Sequence, residues 1–404
     1  MRRAVIVGAN ACGASAASVL RDEGFDGDIV LIGEEPYPPY ERPPLSKEYL
    51  RGEQTLDRSY MRPLDWYAEQ NIDARFGTRA TDIDTGSKLL TLDGGEEIAY
   101  DSLLIATGIR NRPLDVPGAD LPGVLGLRTA ADADRIRELA ATATRVTVVG
   151  MGFIGAEVAA SLREMGVEVT VVEFFETALF RVLGAELGGV IEEIHREHGV
   201  DMRFGEGVEA FEGGDRVRSV VTSSGASIEC DFAVVGVGTV PNSELAQAAG
   251  LACDDGILVD ASLRTTAPDV LAGGDVANHD HPRFGRVWVE HFDNAVKMGA
   301  TAARNMLGAE EVFDDVHWFW SDQYDANLQM AGFAPTFDEV VIRGSLGDRA
   351  GFSVFYLKGG AVAQVFGLNR PRDVRRAMPL IKVGVHADPI ALADEATDLR
   401  TLGA

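Results

Sequence analysis

Cysteine is scarce in this sequence. The three cysteines, Cys12, Cys230 and Cys253, form no Cys-x-x-Cys pair. This spacing excludes a thioredoxin-type dithiol and leaves no cysteine set for a structural zinc site or an iron–sulfur cluster. We therefore expect no metal and no redox role for any cysteine, so electrons that reach this protein have to leave by a route other than a disulfide relay.

Basic residues and long apolar runs are also few. Lysine and arginine number 37 against 63 aspartates and glutamates, which gives a net charge of −26 and argues against a nucleic-acid surface. No apolar run approaches the ~18 residues of a membrane span. Residues 2–7 faintly resemble a signal peptide, but the apolar run breaks at Gly8, and we interpret it as a strand. We expect an acidic cytoplasmic enzyme whose partners are neither nucleic acid nor membrane.

Two glycine-rich turns are the most informative features present. Residues 8–13 (Gly-Ala-Asn-Ala-Cys-Gly) and 150–155 (Gly-Met-Gly-Phe-Ile-Gly) each follow a short apolar run and open a helix-like stretch. In such turns the glycines let the backbone approach a pyrophosphate, and the helix N-terminus supplies free N–H groups. The pair predicts one site for a flavin nucleotide and one for a nicotinamide nucleotide. For either turn alone, an ordinary βαβ crossover is the alternative.

The surroundings of the first turn favour a nucleotide site. Residues 4–7 and 28–32 are typical of buried parallel strands, with a helix over residues 14–20 between them. The second strand ends at Glu34 and Glu35, about 20 residues past the turn, where an acid can accept a ribose hydroxyl.

The second turn repeats this layout. Residues 145–149 and 167–172 are the predicted strands, residues 156–166 the helix, and Glu173 follows the second strand. A carboxylate there can accept from both ribose hydroxyls and would repel a 2′-phosphate, which predicts a preference for NADH over NADPH.

The first turn departs from the usual pattern at its middle position, where Asn10 replaces glycine. Asparagine tolerates positive φ better than most residues, so the turn can survive. A side chain nevertheless lies where phosphate and backbone normally meet. We expect weaker retention of FAD.

A further internal repeat supports duplication. Residues 101–108 and 231–238 both run as an acid, an apolar strand and a glycine turn, and each would end a nucleotide-binding unit. A long return segment then leads to residues 265–275 (Thr-Thr-Ala-Pro-Asp-Val-Leu-Ala-Gly-Gly-Asp).

That return segment and residues 40–47 (Tyr-Glu-Arg-Pro-Pro-Leu-Ser-Lys) resemble the FAD-dependent pyridine nucleotide oxidoreductases of the ferredoxin reductase type, over essentially the whole chain. The resemblance implies an α/β protein with two Rossmann-like, glutathione-reductase-like dinucleotide-binding domains and a C-terminal α+β domain. It divides the chain into a discontinuous FAD domain (1–115 and 244–315), an NADH domain (116–243) and a C-terminal domain (316–404).

The same resemblance assigns residues to the flavin. It places Asp275 on the ribityl chain, Lys47 near the ring and in a pair with Glu157, and Trp320 beside the flavin. The residues expected to bind FAD or NADH are Gly8, Asn10, Cys12, Gly13, Glu34, Glu35, Arg42, Lys47, Ala80, Ala106, Thr107, Gly108, Arg128, Gly150, Gly152, Phe153, Ile154, Gly155, Glu173, Gly238, Gly274, Asp275, Val289, Glu290 and Trp320. From the residues alone, Lys47 could be a surface lysine, Glu157 a solvated helix acid and Trp320 a core residue.

The last third of the chain predicts a separate α+β domain. Residues 339–343, 352–358 and 361–366 are strand-like, and a helix follows from Asn369. A basic cluster lies on this helix, with Asp373 as its only opposing acid: Arg370, Arg372, Arg375, Arg376 and Lys382. It predicts a docking surface for an acidic ferredoxin, with a solvated helix face as the alternative.

Taken with the resemblance, these patterns predict an NADH-dependent ferredoxin reductase. It would take hydride from NADH onto FAD and pass single electrons to a [2Fe-2S] ferredoxin that serves a cytochrome P450 or Rieske oxygenase. Two alternatives are a flavoprotein reductase of a small diffusible acceptor, of the monodehydroascorbate reductase kind, and a redox-responsive binding protein similar to apoptosis-inducing factors.

Overall fold

The structure, a computed structural model, describes residues 2–403. Short parallel and antiparallel strands dominate its first segment. The elements are β1 (Arg3–Val7), α1 (Ala11–Asp22), β2 (Asp28–Gly33), α2 (Leu64–Glu69), β3 (Ile72–Phe76), β4 (Ala80–Asp84), β5 (Leu89–Leu92), β6 (Glu97–Ala99), β7 (Ser102–Ile105) and β8 (Ile109–Asn111), with 3₁₀ turns at Pro43–Ser46 and Leu56–Ser59.

Strand β1 lies in the middle of a parallel sheet. Val5 is opposite Val30 of β2 on one side and Leu103 of β7 on the other. All three side chains are buried, as expected for a parallel sheet that is covered on both faces. The carboxyl ends of these strands therefore converge on one edge, where α1 begins.

The second segment builds a similar parallel sheet. Its elements are β9 (Val124–Leu125), α3 (Ala130–Ala140), β10 (Arg145–Val149), α4 (Phe153–Glu164), β11 (Glu168–Glu173), α5 (Phe180–Glu197), β12 (Asp201–Phe204), β13 (Val208–Gly213), β14 (Val217–Thr222), β15 (Ser227–Glu229), β16 (Phe232–Val235) and β17 (Thr239–Pro241). The parallel order is β12-β11-β10-β16-β9, and β13 to β15 form a separate antiparallel sheet. Strand β17 pairs with β8 and so connects the two segments.

The chain then returns to the first sheet. The returning elements are α6 (Glu244–Ala248), β18 (Ile257–Val259), β19 (Val270–Ala272), a 3₁₀ turn (Gly274–Val276), β20 (Ala277–His281), β21 (Gly285–Trp288) and α7 (Phe292–Met306). Strand β19 pairs with β7 and completes the order β19-β7-β1-β2-β3. Helix α7 packs so closely on α1 that a Cβ at Gly299 would lie 2.2 Å from the carbonyl oxygen of Cys12. Small residues on α1 permit this approach.

The last segment is an antiparallel sheet with helices. It contains β22 (Trp318–Gln323), β23 (Ala326–Gly332), β24 (Glu339–Arg343), β25 (Phe352–Lys358), β26 (Ala361–Leu368), α8 (Pro371–Val383), α9 (Pro389–Ala393) and a 3₁₀ turn (Leu399–Gly403). The order is β22-β23-β26-β25-β24. One face of this sheet shares a core with Leu187 of α5, and the other is covered by Val374 and Leu380 of α8. The sheet is therefore held against the second nucleotide unit.

The α/β architecture with two parallel sheets and a C-terminal sheet confirms the expected fold class. The expected domain boundaries at 115/116, 243/244 and 315/316 all fall between elements and stay predictions. Within residues 2–403, every helix is too short or too polar to cross a membrane.

Candidate active site

The first glycine turn joins β1 to α1 and has no space for side chains at its ends. Gly8 has a φ of +118°, and a Cβ there would lie 2.0 Å from the carbonyl oxygen of Ala106. A Cβ at Gly13 would lie 2.0 Å from the carbonyl oxygen of Gly8. Bare backbone packed this closely forms a cradle that fits the pyrophosphate of FAD.

Asn10 has a different role in this turn from the one its replacement of glycine suggested. Its φ is −133°, so its backbone needs no left-handed conformation. Its side-chain oxygen accepts from the N–H groups of Cys12 (3.1 Å) and Gly13 (3.3 Å) and caps α1. Its side-chain nitrogen donates to the carbonyl of Ala106. The argument from positive φ is wrong, because the turn takes its positive φ at Gly8.

Glu34 and Glu35, the two acids after β2, have different surroundings. Glu35 accepts from Arg42 at 2.6 Å and from the hydroxyl of Tyr40. Glu34 is exposed, with 74% of its side chain accessible, and its nearest cation is Arg79 at 4.0 Å. Ala80 begins β4 directly after Arg79 and is half-buried. A carboxylate keeps spare acceptor sites after one ion pair, so both acids can accept a ribose hydroxyl.

Asp275 and Arg128 meet where β19 ends. Their side chains form an ion pair of 3.1 Å, and Arg128 also donates to the carbonyl of Ile109. Gly274, at a φ of +74°, lies against Cys12: a Cβ there would be 3.0 Å from the Cβ of Cys12. Burial raises the pKa of the Cys12 thiol, so this residue packs as a neutral side chain between α1 and the 3₁₀ turn.

Thr107 and Gly108 follow β7 and hold the crossing to the second segment. The Thr107 hydroxyl donates to the carbonyl of Asn242 at 2.7 Å, and the Asn242 amide donates back to the Thr107 carbonyl at 2.9 Å. Gly108 has a φ of +68° and accepts from the N–H of Asn242. These bonds keep the carboxyl end of β7 beside β17.

Lys47 and Glu157 form a buried ion pair between the two nucleotide units. Lys47 Nζ lies 3.1 Å from Glu157 Oε2, and the two side chains are only 7% and 5% exposed. The carboxylate also accepts from the hydroxyls of Ser46, on the same oxygen, and Ser321, on the other oxygen at 2.8 Å. The alternatives of a surface lysine and a solvated helix acid are wrong.

The second glycine turn, between β10 and α4, has tight ends and an open middle. A Cβ at Gly150 would lie 2.4 Å from the carbonyl oxygen of Gly236, and one at Gly155 would lie 2.1 Å from that of Gly150. At Gly152, by contrast, a Cβ would meet no described atom within 4 Å. Gly152 is the N-cap of α4 and gives it no side-chain cap. The N-terminus of α4 is therefore free to bind a phosphate.

Phe153 and Ile154 are the first two residues of α4 and have different surroundings. The Phe153 ring contacts the Phe319 ring, with centroids 4.6 Å apart. Ile154 is 48% exposed. Phe153 thus fixes α4 to the C-terminal sheet, while Ile154 borders the open side of the turn.

Glu173 ends β11 and lies over the second turn. Its carboxylate accepts from the N–H groups of Met151 (2.6 Å) and Phe175 (2.8 Å), and the residue is 8% exposed. These bonds orient the carboxylate at the turn, where it still has acceptor sites for ribose hydroxyls.

The segment after β21 borders the link between the two units. The carboxylate of Glu290 accepts from the hydroxyl of Thr239 on β17. Val289 is half-buried beside it. Gly238 precedes Thr239 with a φ of +107°. Gly238 and Glu290 thus lie close together at the link between the two units.

Trp320 lies in a cluster of aromatic rings. It stacks on Trp318, with centroids 5.2 Å apart, and has Phe292 6.4 Å away. A further tryptophan, Trp288, donates to the carbonyl of Asp275 at 2.6 Å. Trp320 is half-buried, so it is partly accessible rather than enclosed in the core.

The structure adds residues that the sequence patterns did not indicate. Ser46, Ser321, Gln323 and His195 all belong to the buried polar network around Glu157. Except for the bond between Gln323 and Ser321, their partners are far away along the chain, and no local pattern signals such contacts. Phe174 is also new: it follows Glu173 directly and is 71% exposed, and its position after the predicted ribose acid was a usable signal.

The predicted basic cluster is weaker than the sequence indicated. Arg370 pairs with Glu395, Arg376 with Asp398, and Lys382 with both Asp314 and Asp315. Within residues 2–403, no carboxylate lies within 4.0 Å of the cationic groups of Arg372 or Arg375, and both are exposed. The opposing acid is not Asp373, which is buried and pairs with Arg343. Two of the five cations therefore remain available for a partner.

Comparison with known proteins gives consistent matches over the whole chain. The family described as pyridine nucleotide-disulphide oxidoreductase matches residues 2–299, and the family described as reductase C-terminal matches residues 318–403. Rhodocoxin reductase of Rhodococcus erythropolis is 40% identical over 98% of this chain and 93% of its own length. A benzene 1,2-dioxygenase system ferredoxin–NAD(+) reductase subunit of Pseudomonas putida is 36% identical over 98% and 96%.

A solved structure matches equally well. The reductase in a covalent putidaredoxin reductase–putidaredoxin complex superposes with a TM-score of 0.95 at 36% identity, over 99% of this chain and 98% of that one.

Proposed function

The chain belongs to the pyridine nucleotide-disulphide oxidoreductase family, and on that premise we propose that it is an NADH-dependent ferredoxin reductase. It passes single electrons to a [2Fe-2S] ferredoxin that serves a cytochrome P450 or Rieske oxygenase. One observation carries the proposal: the buried Lys47–Glu157 pair joins the two nucleotide units where the resemblance places the flavin.

Bound FAD supplies the chemistry, because it accepts a hydride and releases electrons one at a time. The chain's own residues bind and orient it. We assign the pyrophosphate to the backbone of Gly8 and Gly13, the ribose to Glu34 or Glu35, and the ribityl chain to Asp275. Arg42 and Arg128 are the cations that face this cradle.

We assign NADH to the second turn. The free N-terminus of α4 at Gly152 binds the pyrophosphate, and Glu173 accepts the adenosine ribose hydroxyls. Lys47 provides a fixed positive charge where negative charge develops near the ring, and Glu157 holds that ammonium in place. We assign Trp320 and Glu290 to the edge of the ring site, where Trp320 is half-buried and Glu290 is exposed.

The ferredoxin docks by charge in this proposal. A chain of net charge −26 repels an acidic partner at long range, so encounter needs a local basic surface. The exposed Arg372 and Arg375 are the best candidates. They lie on α8, which packs on the face of the C-terminal sheet that also carries Trp318.

A cytoplasmic location is part of the proposal. Its support is that Cys12, Cys230 and Cys253 are all free, as is usual in a reducing compartment.

The test of the proposal is NADH-driven reduction of purified [2Fe-2S] ferredoxins under anaerobic conditions, with ferricyanide as a small control acceptor. We expect reduction of both. Reduction of ferricyanide but of none of the ferredoxins would favour a small natural acceptor. NADH oxidation that stops at a long-lived complex would favour a redox-responsive binding protein.

In the variant R372E/R375E, ferredoxin reduction should slow at low salt while ferricyanide reduction is unchanged, because steering charges act on association. The variant R370E/R376E is the comparison, since both arginines are already paired.

A further inference from the structure

A line of buried polar side chains runs from helix α5 to the carboxylate of Glu157. His195 Nε2 lies 3.0 Å from Gln323 Oε1, Gln323 Nε2 lies 3.1 Å from Ser321 Oγ, and Ser321 Oγ lies 2.8 Å from Glu157 Oε1. His195, Ser321 and Gln323 are each 0% exposed. The line crosses from the second nucleotide unit to the C-terminal sheet and back.

The direction of every bond in this line follows from chemistry. An ionised carboxylate only accepts, so Ser321 donates its hydroxyl hydrogen to Glu157. The Ser321 oxygen then accepts from the amide nitrogen of Gln323, which turns the amide oxygen toward His195. That oxygen also only accepts, so His195 carries its proton on Nε2. The charge of Glu157 thus sets the tautomer of a histidine three side chains away.

The other oxygen of Glu157 is occupied from the opposite side. Oε2 accepts from Lys47 and Ser46, while Oε1 accepts from Ser321. Each oxygen therefore has its own donors, and the carboxylate plane cannot turn without breaking a buried hydrogen bond. Leaving such a buried group unsatisfied is costly.

We propose that His195 is a positioning residue for the Lys47–Glu157 pair, acting through Gln323 and Ser321. Without the Nε2 proton, no hydrogen bond from His195 holds the orientation of the Gln323 amide. Ser321 then loses the donor that turns its hydroxyl toward Glu157. The inference rests on the proposed function, since it concerns the charge held beside FAD.

The surroundings of His195 suit this role. Burial lowers its pKa to about 4, opposed by the hydrogen bond to Gln323 and reinforced by the nearby His198. The ring is therefore neutral at ordinary pH, and it has one donor and one acceptor nitrogen. Nδ1, the acceptor, faces the hydroxyl of Tyr324 at 3.4 Å, which agrees with the tautomer deduced from Glu157.

The first test reads the tautomer in the wild-type protein and needs a variant only for assignment. In the ¹⁵N spectrum of histidine-labelled protein, we expect His195 to be a neutral Nε2–H tautomer from pH 6 to pH 8. The His195 resonance is the one that is absent from the spectrum of His195→Gln. A proton on Nδ1, or a doubly protonated ring in this range, would overturn the inference. This measurement involves neither NADH nor ferredoxin, so it stands apart from any failure of the proposed function.

The second test reads the flavin. In stopped-flow reduction by NADH, without ferredoxin, His195→Leu should slow the step about fivefold, the scale of one neutral hydrogen bond. His195→Gln, which keeps an N–H donor near the position of Nε2, should restore most of the rate. The control is His198→Ala: His198 is exposed on the same corner and stacks on Tyr324, with centroids 3.6 Å apart, but lies outside the line. If His198→Ala slows flavin reduction equally, or if His195→Gln does not restore the rate, the effect comes from packing.

A double variant shows whether His195 acts through Ser321 or independently of it. Residues in series are non-additive, so His195→Leu combined with Ser321→Ala should be no slower than Ser321→Ala alone. If the double variant slows flavin reduction by the product of the two single-variant factors, the inference is contradicted.

Discussion

The two glycine turns share one spacing but satisfy their helix N-termini in opposite ways. At the first turn the side chain of Asn10 takes the N–H groups of Cys12 and Gly13. At the second, Gly152 leaves the N-terminus of α4 without a side-chain cap and with open space around it. One residue at the middle position thus decides whether the protein or a ligand satisfies these donors.

This difference separates a resident cofactor from a nucleotide that exchanges. In the proposed assignment, FAD at the first turn has fewer backbone donors, and we expect its binding to depend correspondingly more on Arg42, Arg128 and Asp275. NADH enters and NAD⁺ leaves at each turnover, and an open helix N-terminus binds a phosphate without first breaking a protein cap.

The tight ends of both turns should be the most sensitive positions. Gly8→Ala places a Cβ 2.0 Å from a carbonyl oxygen at positive φ, and Gly150→Ala places one at 2.4 Å. We expect each to lower the free energy of unfolding by about 3 kcal/mol or more, with loss of FAD from Gly8→Ala. Denaturant unfolding and the FAD content after gel filtration measure this. Gly152→Ala is the control, and a similar loss of stability there would show that the two tight contacts are not the cause.

Breaking the Lys47–Glu157 ion pair between the two nucleotide units should have the next largest effect. Lys47→Ala or Glu157→Ala leaves one buried charge without a partner, which costs about 3–5 kcal/mol in comparable pairs. We expect slower flavin reduction by NADH and lower stability from each. Arg135→Ala removes one partner of an exposed pair, whose side chains are 56% and 67% accessible, and should change stability by less than about 1 kcal/mol. Wild-type rates in both core variants would refute the assignment of the pair to the flavin.

Glu173 should decide which nucleotide uses the open turn. Glu173→Ala removes a charged acceptor of ribose hydroxyls, worth about 1.5–3 kcal/mol, so the preference for NADH over NADPH in kcat/KM should fall about tenfold or more. Steady-state kinetics with both nucleotides test this. Glu176→Ala, which removes an exposed acid on the same loop, should keep the preference, and equal kcat/KM values in the wild type would contradict the role of Glu173.

Exchanging the middle residues should give the smallest effects. Asn10→Gly frees two backbone donors for FAD while costing only a few tenths of a kcal/mol as a cap, so FAD should bind more tightly and dissociate more slowly. Gly152→Asn should cap α4 and raise the Kd of NAD⁺ about twofold, because asparagine exceeds glycine as a cap by only a few tenths of a kcal/mol. Fluorescence titration measures both. If both Kd values are unchanged, caps and ligands do not compete for these donors.

Elements set by local pattern were predictable. The strand-like runs 339–343 and 352–358 coincide with β24 and β25. The helices after both turns begin three residues earlier than expected, at Ala11 and Phe153, because the turn residues themselves form the first helical turn. Glycine content and apolar periodicity carry this information along a few neighbouring residues.

Contacts between distant segments were not predictable. The acids that neutralise Arg376 and Lys382 lie elsewhere in the chain, at Asp398 and Asp314. Likewise, nothing near Gln323 in sequence indicates that it meets His195, because that contact depends on how the C-terminal sheet lies on α5. Position in the fold, rather than residue type, decides which charges stay free and which polar side chains act together.

The stoichiometry of electron transfer tests the central claim most directly. Under anaerobic conditions, a limiting amount of NADH is added to the FAD-loaded protein with excess oxidised [2Fe-2S] ferredoxin, and both absorbance changes are recorded. A two-electron donor and a one-electron acceptor require two ferredoxins reduced for each NADH oxidised, and we expect this ratio. Oxidation of NADH with every ferredoxin left oxidised would contradict the account.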